Sequence, residues 1–188
     1  MIVEKELFMT KLNETRKIFI YLPDDYETSN KQYPVLYAFD GHNIFLDAHA
    51  TYGKAIHIQQ HIEKLGIDMI VVGQECSHVG NNRLKEYAPY SFYDPEYGSF
   101  EGQGEETMDF FVHELKPYID DHYRTKKTRK NTFIGGSSCG GLMALYAAYA
   151  YSNVYSKAIV ISPYVLESMD AILKDIHQSH IQKNTSIY

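Results

Sequence analysis

Apolar positions along the chain fall into short runs separated by polar turns. The segment Arg16 to Leu22 reads RKIFIYL, a β-branched and aromatic run that predicts a strand. Ile2 to Met9 predicts a weaker one, and Asn13-Glu14 between them predicts the turn of an antiparallel hairpin. Pro34 to Phe39 (PVLYAF) and Met69 to Val72 (MIVV) are almost continuously apolar, as strands buried on both faces are. Between these two runs, Lys54 to Lys64 reads as a helix, with Ile58 and Ile62 at i, i+4. Residues 74 to 103 show no period. They carry Gly80, Pro89, Pro95, Gly98, Gly102 and several tyrosines, and read as a long connection of the functional kind. Glu105 to Tyr123 is amphipathic, with Met108, Phe111, Leu115 and Ile119 at helical spacing and Pro117 as a kink or break. A short strand from Asn131 to Ile134 leads into Gly135-Gly136. A small-residue helix follows over Cys139 to Tyr151, then a strand over Lys157 to Ile161 (KAIVI), a last helix from Glu167 to about Ser179, and the beginning of one more strand at Ser186 to Tyr188.

From Pro34 onward strands alternate with helices. That order predicts an α/β fold: a mostly parallel sheet with helices on both faces, fronted by an antiparallel hairpin. No repeat, low-complexity tract or linker divides the chain, so residues 1–188 read as a single domain. Hydrophobic residues make up 44% and charged residues 22%, enough for a packed core and too apolar for general disorder. The net charge of −6 leaves no basic stripe to neutralise phosphates, which argues against nucleic acid as a partner. The N-terminal segment has acidic residues where a signal peptide needs a basic start, and no apolar run approaches a membrane span. The two cysteines, Cys76 and Cys139, lie in no metal-ligand spacing. These features predict a cytoplasmic protein with free thiols, no membrane partner and no zinc site.

Chemistry concentrates at Gly136-Ser137-Ser138-Cys139-Gly140, a G-x-S-x-G between a strand and a helix. A nucleophile presented there stands on a turn so tight that side chains two residues before and after would collide, and glycine fills both positions. Ser138 is the candidate nucleophile. The N–H of Cys139, at the start of the helix, points at the same space and is a candidate oxyanion donor. A second donor is expected from Phe39-Asp40-Gly41-His42-Asn43, after the earlier parallel strand, through the backbone of Gly41 and His42. Loops that follow parallel strands gather at one sheet edge. Ordinary readings stand beside these: a glycine-rich turn with an incidental serine, and a simple tight turn at a strand end.

These residues resemble a family. Pro34-Val35-Leu36-Tyr37 followed by Asp40-Gly41-His42-Asn43-Ile44-Phe45, Arg83 with Glu86-Tyr87-Ala88-Pro89, and Glu114 to Ile119 with Tyr123-Arg124-Thr125 are similar, in order and spacing, to segments of the putative-esterase family of α/β-hydrolases. So are Gly136 to Gly141, with Cys139 where methionine is usual, and Ser162-Pro163 after the next strand. The resemblance covers Arg16 to Tyr188. It implies an α/β-hydrolase fold and acyl transfer from a small-molecule ester or thioester to water through Ser138, without metal or cofactor. It also places Arg83 and Glu86 beside the active site as substrate-side candidates; a structural ion pair between them is the alternative.

The family's triad continues from Ser to an acid and then a histidine, each after a further strand. By that pattern the chain reaches Tyr188 where the acid-bearing strand is starting, and it reads as a hydrolase incomplete at its C-terminus, with triad acid and base unassigned. Asp170, Asp175, His177 and His180 follow Ser138 in order but fall on the last helix. The side chain of His42 is a minor candidate for the base. His57 and His61 at i, i+4 read as surface residues, and Gly102-Gln103-Gly104-Glu105 as a capped helix start or an anion cradle. The competing expectation is a non-catalytic remnant or binding module, with open sheet edges favouring a homo-oligomer and little esterase activity in this chain.

Overall fold

The computed structural model describes residues 1–165 and 168–188. Its strands are β1 (Ile2–Met9), β2 (Glu14–Tyr21), β3 (Val35–Ala38), β4 (Ile70–Gln74), β5 (Phe92–Asp94), β6 (Gly98–Phe100), β7 (Thr132–Ser137), β8 (Lys157–Ile161) and β9 (Ser186–Ile187). Among the described residues seven of them form one sheet in the order β1-β2-β4-β3-β7-β8-β9. β1 and β2 pair antiparallel, as do β2 and β4, and every pairing from β4 to β9 is parallel. The parallel direction of β4, β3, β7 and β8 goes with the helices between them, since each parallel neighbour requires a crossover.

The hairpin turn is longer than Asn13-Glu14. Met9 pairs with Glu14, and residues 10–13 make the loop, closed by Asn13 N–H on the Thr10 carbonyl (3.3 Å) with Asn13 left-handed at φ 52°. Asparagine tolerates that conformation. The helix expected from Lys54 begins later, as α1 (Ile58–Lys64), because His57 is left-handed at φ 56° and stops it from extending backward. The connection after β4 contains α2 (Asn82–Glu86) and the small hairpin β5–β6, neither of which has enough residues to show a period.

The amphipathic segment is continuous but not uniform. It runs as α3 (Gly104–Asp109), a π-helical stretch Phe110–Leu115, and α4 (Lys116–His122) with Pro117 in its first turn. Proline has no N–H for the preceding turn and its ring crowds a carbonyl there. The wider π turn just before Pro117 accommodates it without a break, and Phe110, Phe111, Leu115 and Ile119 all stay buried. α5 (Cys139–Ala150) follows β7, and α6 is Met169–Gln178. Glu167, where the last helix was expected to begin, lies outside the described residues.

One core lies between the sheet and α3 to α6, with Tyr37, Val72, Ile134 and Ala158 facing Met143, Ala147 and Ile172. α5 is apolar on nearly every side because it is covered on nearly every side, which is why it shows no amphipathic stripe. The opposite face carries a smaller core of Phe19, Leu36, Val71, Phe45 and Ile62. On that face the β8 side chains Ile159 and Ile161 remain 39% and 50% exposed.

The carboxyl ends of β3 and β4 meet backbone to backbone. A Cβ on Gly41 would lie 2.3 Å from the Gly73 carbonyl carbon, and one on Gly73 would lie 2.6 Å from the Gly41 Cα. Gly41→Ala is expected to lower unfolding stability by about 3 kcal/mol or more, at the upper end of overpacking costs. Gly66→Ala, at a left-handed position with open space around it, should cost only about 1 to 2 kcal/mol. Urea unfolding of the two variants checks this ranking.

Candidate active site

Ser138 joins β7 to α5 with φ 57° and ψ −122°, a conformation that side chains rarely adopt. The turn is held from three sides. Ser138 N–H donates to the Ile161 carbonyl (3.0 Å), and the Ser138 carbonyl accepts from Leu142 N–H and Tyr164 N–H (3.0 Å each). The flanking glycines are required by contact. A Cβ on Gly136 would sit 2.3 Å from the Gly140 carbonyl oxygen, and one on Gly140 would sit 2.9 Å from Phe39 Cβ. Gly141 brings α5 against β8, where a Cβ would lie 2.7 Å from the Ile161 oxygen. Ser138 itself is exposed.

The loop after β3 lies alongside. Gly41–Asn43 form a single 3₁₀ turn introduced by Asp40, which is left-handed at φ 56°. Asp40 is held by its neighbours. Its carboxylate takes a two-pronged contact from Arg83 (Nε to Oδ1 2.8 Å, Nη2 to Oδ2 2.7 Å). Its N–H donates to the Tyr87 hydroxyl (3.2 Å), which donates in turn to Gln74 Oε1 (2.7 Å). Burial alone would lower the Arg83 pKa, but the hydrogen bonds and charge of Asp40 outweigh it and hold the guanidinium above its usual value. The amides of Gly41, His42 and Cys139 donate to no acceptor among the described residues.

Ser138, Asp40, His42, Arg83, Cys76 and His78 line one cleft of about 610 Å³, whose floor includes Leu36, Ile159 and Ile161. The cleft therefore continues onto the uncovered sheet face. His42 is 2% exposed. Burial lowers the pKa of its imidazole, with Asp40 opposing, so the ring is neutral at pH 7. Burial raises the Cys76 and Cys139 thiols, so neither is a thiolate nucleophile at neutral pH.

Of the two substrate-side candidates, Arg83 lines the cleft and Glu86 does not. Nor do they pair with each other. Glu86 is 3% exposed, forms an ion pair with Arg16, and accepts from Ser77 N–H (3.0 Å). α2 turns Arg83 toward Asp40 and Glu86 into the core behind it. Sequence reasoning missed Asp40 and Arg16 as the partners because both are remote in the chain; only the sheet order brings them close.

The remaining candidates are placed elsewhere. Asp170, Asp175, His177 and His180 are absent from the cleft lining, and Asp175 accepts a hydrogen bond from the Tyr90 hydroxyl (2.5 Å). His57 pairs with Asp47 (3.0 Å) and precedes α1 rather than sharing it with His61. The amides of Gln103 and Gly104 donate to the carbonyls of Lys85 and Ala88 (2.9 and 2.8 Å), so that segment makes no anion cradle. The close trio His42, Cys76 and His78, spread over two loops, had no signal in sequence spacing.

A mostly parallel sheet, with a strained serine between strand and helix at its carboxyl edge, defines the α/β-hydrolase class. The chain belongs to the family described as "Putative esterase", whose model matches residues 9–185. It is 31% identical over 186 residues to the uncharacterized protein YjcH of Bacillus subtilis, covering 98% of this chain and 70% of YjcH. It is 32% identical over 139 residues to Esterase Rv1288 of Mycobacterium tuberculosis, covering 73% of this chain and 27% of that protein. Among solved structures, an IroE-like serine hydrolase from Shewanella oneidensis superposes with a TM-score of 0.77 at 24% identity, over 95% of this chain and 55% of the other. That likeness shows the shared fold.

The Arg16–Glu86 pair is buried on both sides. Glu86→Ala leaves the buried guanidinium with only the half-exposed Glu14 as a charged partner and is expected to destabilise the protein by about 3 kcal/mol, the lower end of the cost of breaking a buried pair. The double variant Arg16→Met/Glu86→Leu should recover most of that loss, since no buried charge is then left unpaired and Glu14 is solvated. Denaturant midpoints of the three proteins measure it.

Proposed function

We propose that the protein is a serine hydrolase of small carboxylic esters or thioesters, with Ser138 forming an acyl-enzyme. The observation that carries this reading is the backbone of Ser138. A residue held at φ 57°, ψ −122° between two glycines that admit no Cβ is maintained at a cost, and presenting a hydroxyl to a cleft explains it. In the reaction the Ser138 Oγ adds to the substrate carbonyl, and the N–H groups of Cys139 and of Gly41 or His42 hold the oxyanion. The tetrahedral adduct collapses with loss of the alcohol or thiol, which takes up, through solvent, the proton that the serine hydroxyl gave up. Water then releases the acid from the serine. Arg83, fixed by Asp40 in the cleft wall, serves the substrate side; Glu86 supports it from the core.

Esterase chemistry agrees with the family. The apolar floor of the cleft suits an acyl or aryl group, and its volume suits a drug-sized ligand. Two free, buried thiols and the lack of a helix long and apolar enough to cross a membrane among the described residues accord with work in a reducing compartment such as the cytoplasm. No triad acid or base is assigned. A second reading, a scaffold that binds an ester without turning it over, is favoured by one observation: Asp170, Asp175, His177 and His180 are all away from the cleft.

Hydrolysis of a nitrophenyl butyrate and reaction with a fluorophosphonate test the proposal on the 188-residue chain. Turnover should not exceed about 10³–10⁴-fold over the uncatalysed rate, the level left by oxyanion donors and binding alone. With no base assigned to activate the serine, labelling should be slow; after prolonged incubation with excess fluorophosphonate, mass spectrometry should place the phosphonyl adduct on Ser138, and Ser138→Ala should remain unlabelled. An unlabelled Ser138, together with hydrolysis unchanged in Ser138→Ala, overturns the nucleophile assignment and leaves the scaffold reading.

A further inference from the structure

The geometry points to a transition-metal site in the wall of this cleft, formed by the side chains of His42, Cys76 and His78. One donor atom from each of the three lies within 4.8 Å of the other two. His42 is on the 3₁₀ turn after β3, and Cys76 and His78 are on the loop after β4. Because β3 and β4 are parallel neighbours, both loops leave the same edge of the sheet, and the Gly41–Gly73 contact fixes their separation.

Each imidazole has one nitrogen engaged and one free. His42 Nε2 lies 3.1 Å from Thr51 Oγ1, which leaves Nδ1 as the free nitrogen. That Nδ1 is buried and has no hydrogen-bond partner, on a residue only 2% exposed. An enclosed polar atom without a partner is costly in a folded protein. A cation removes that cost. His78 Nε2 lies 3.2 Å from Glu75 Oε1, which likewise leaves its Nδ1 free. The Glu75 carboxylate can only accept, which puts the proton of the neutral His78 ring on Nε2, and the Thr51 hydroxyl holds the plane of the His42 ring, the part that outer partners play for metal-bound histidines. The two rings stand nearly edge to face, with centroids 4.7 Å apart and planes at 77°. Cys76 is a free thiol, 3% exposed.

Two imidazoles and a thiolate select borderline or soft ions such as Zn²⁺ over Mg²⁺ or Ca²⁺. Zn–N bonds of about 2.0–2.1 Å and Zn–S bonds of about 2.3 Å place tetrahedral donors roughly 3.3–3.8 Å apart. The donors here must close by about 1 Å to meet that spacing; His78, whose side chain is 55% exposed, has room to move. Binding exchanges the Cys76 thiol proton for the metal. The neighbouring Asp40 and Arg83 are paired with each other, so they add little net charge. Three protein ligands leave the fourth position for water or a substrate atom. All three residues line the cleft that holds Ser138, so that position opens into it. The site uses the His42 ring, whereas the proposed oxyanion donor is the main-chain N–H, and it stands whether or not Ser138 is a nucleophile.

Co²⁺, as a spectroscopic stand-in for Zn²⁺, is titrated into the reduced, tag-free protein. The expected result is one equivalent bound, with a near-ultraviolet thiolate-to-cobalt charge-transfer band and intense tetrahedral visible bands that Zn²⁺ displaces. Cys76→Ser should abolish the charge-transfer band, and His78→Ala should weaken binding by more than tenfold. Glu75→Gln should weaken it about 10- to 100-fold, the usual effect of losing an outer partner. Ser138→Ala should leave the spectrum unchanged, which separates this result from the hydrolase test. Absence of the band in the unsubstituted protein at millimolar Co²⁺, or its persistence in Cys76→Ser, overturns the site. If Cys76→Ser does not fold, unchanged affinity in His78→Ala, altered at a largely exposed side chain, overturns it equally.

Discussion

Close approach of backbone to backbone at the carboxyl edge of the sheet is the constraint on which the rest of the site depends. It is tightest where Gly41 meets Gly73 and where Gly136 meets Gly140, each with no room for a methyl group. The first contact sets how near the β3 loop comes to the end of β4. The second forces Ser138 into its rare conformation. Every group discussed above is hung from one of these two contacts: the serine, the free amides of Gly41, His42 and Cys139, and the His42–Cys76–His78 trio. The strain at Ser138 is carried by its three backbone hydrogen bonds and by α5, which is buried along most of its length.

Charge then fixes what backbone contact leaves adjustable. α2 has only five residues and would not hold a shape alone. Two ion pairs anchor it, Arg83 to Asp40 in front and Glu86 to Arg16 behind. The two-pronged geometry of Arg83 on Asp40 is directional as well as attractive. Together with the Tyr87 hydroxyl it orients the turn that presents Gly41 and His42. A lysine at position 83 would keep the charge and lose the fork.

The two proposed chemistries share this edge. One is addition of Ser138 to a carbonyl whose oxygen the amide donors would hold; the other is ligation of a soft cation by side chains of the neighbouring loops. A metal with an open fourth position would share the cleft with an ester. Loading of one therefore bears on access for the other, through space rather than through any change of fold.

The periodic segments were legible in the sequence because local chemistry decides them. Buried strands such as PVLYAF and MIVV have only one way to satisfy both their side chains and their backbone in a parallel sheet. The paired glycines around Ser138 were legible for the same reason, since a turn that tight excludes other residues at those positions. Short elements were not: α2, β5 and β6 are too brief for a period to show, and the π turn ahead of Pro117 depends on the surrounding core. The partners of Glu86 and Arg83 were hidden because Arg16 and Asp40 lie 70 and 43 residues away. The grouping of His42 with Cys76 and His78 was hidden because a ligand set split between two loops has no spacing to read. The sequence by itself determined the α/β order and the tight, glycine-flanked turn at Ser138. Only the tertiary structure decided which charges meet, which donors stay free and which side chains face one cleft, because those depend on strand order and on distances that exist only once the sheet has assembled.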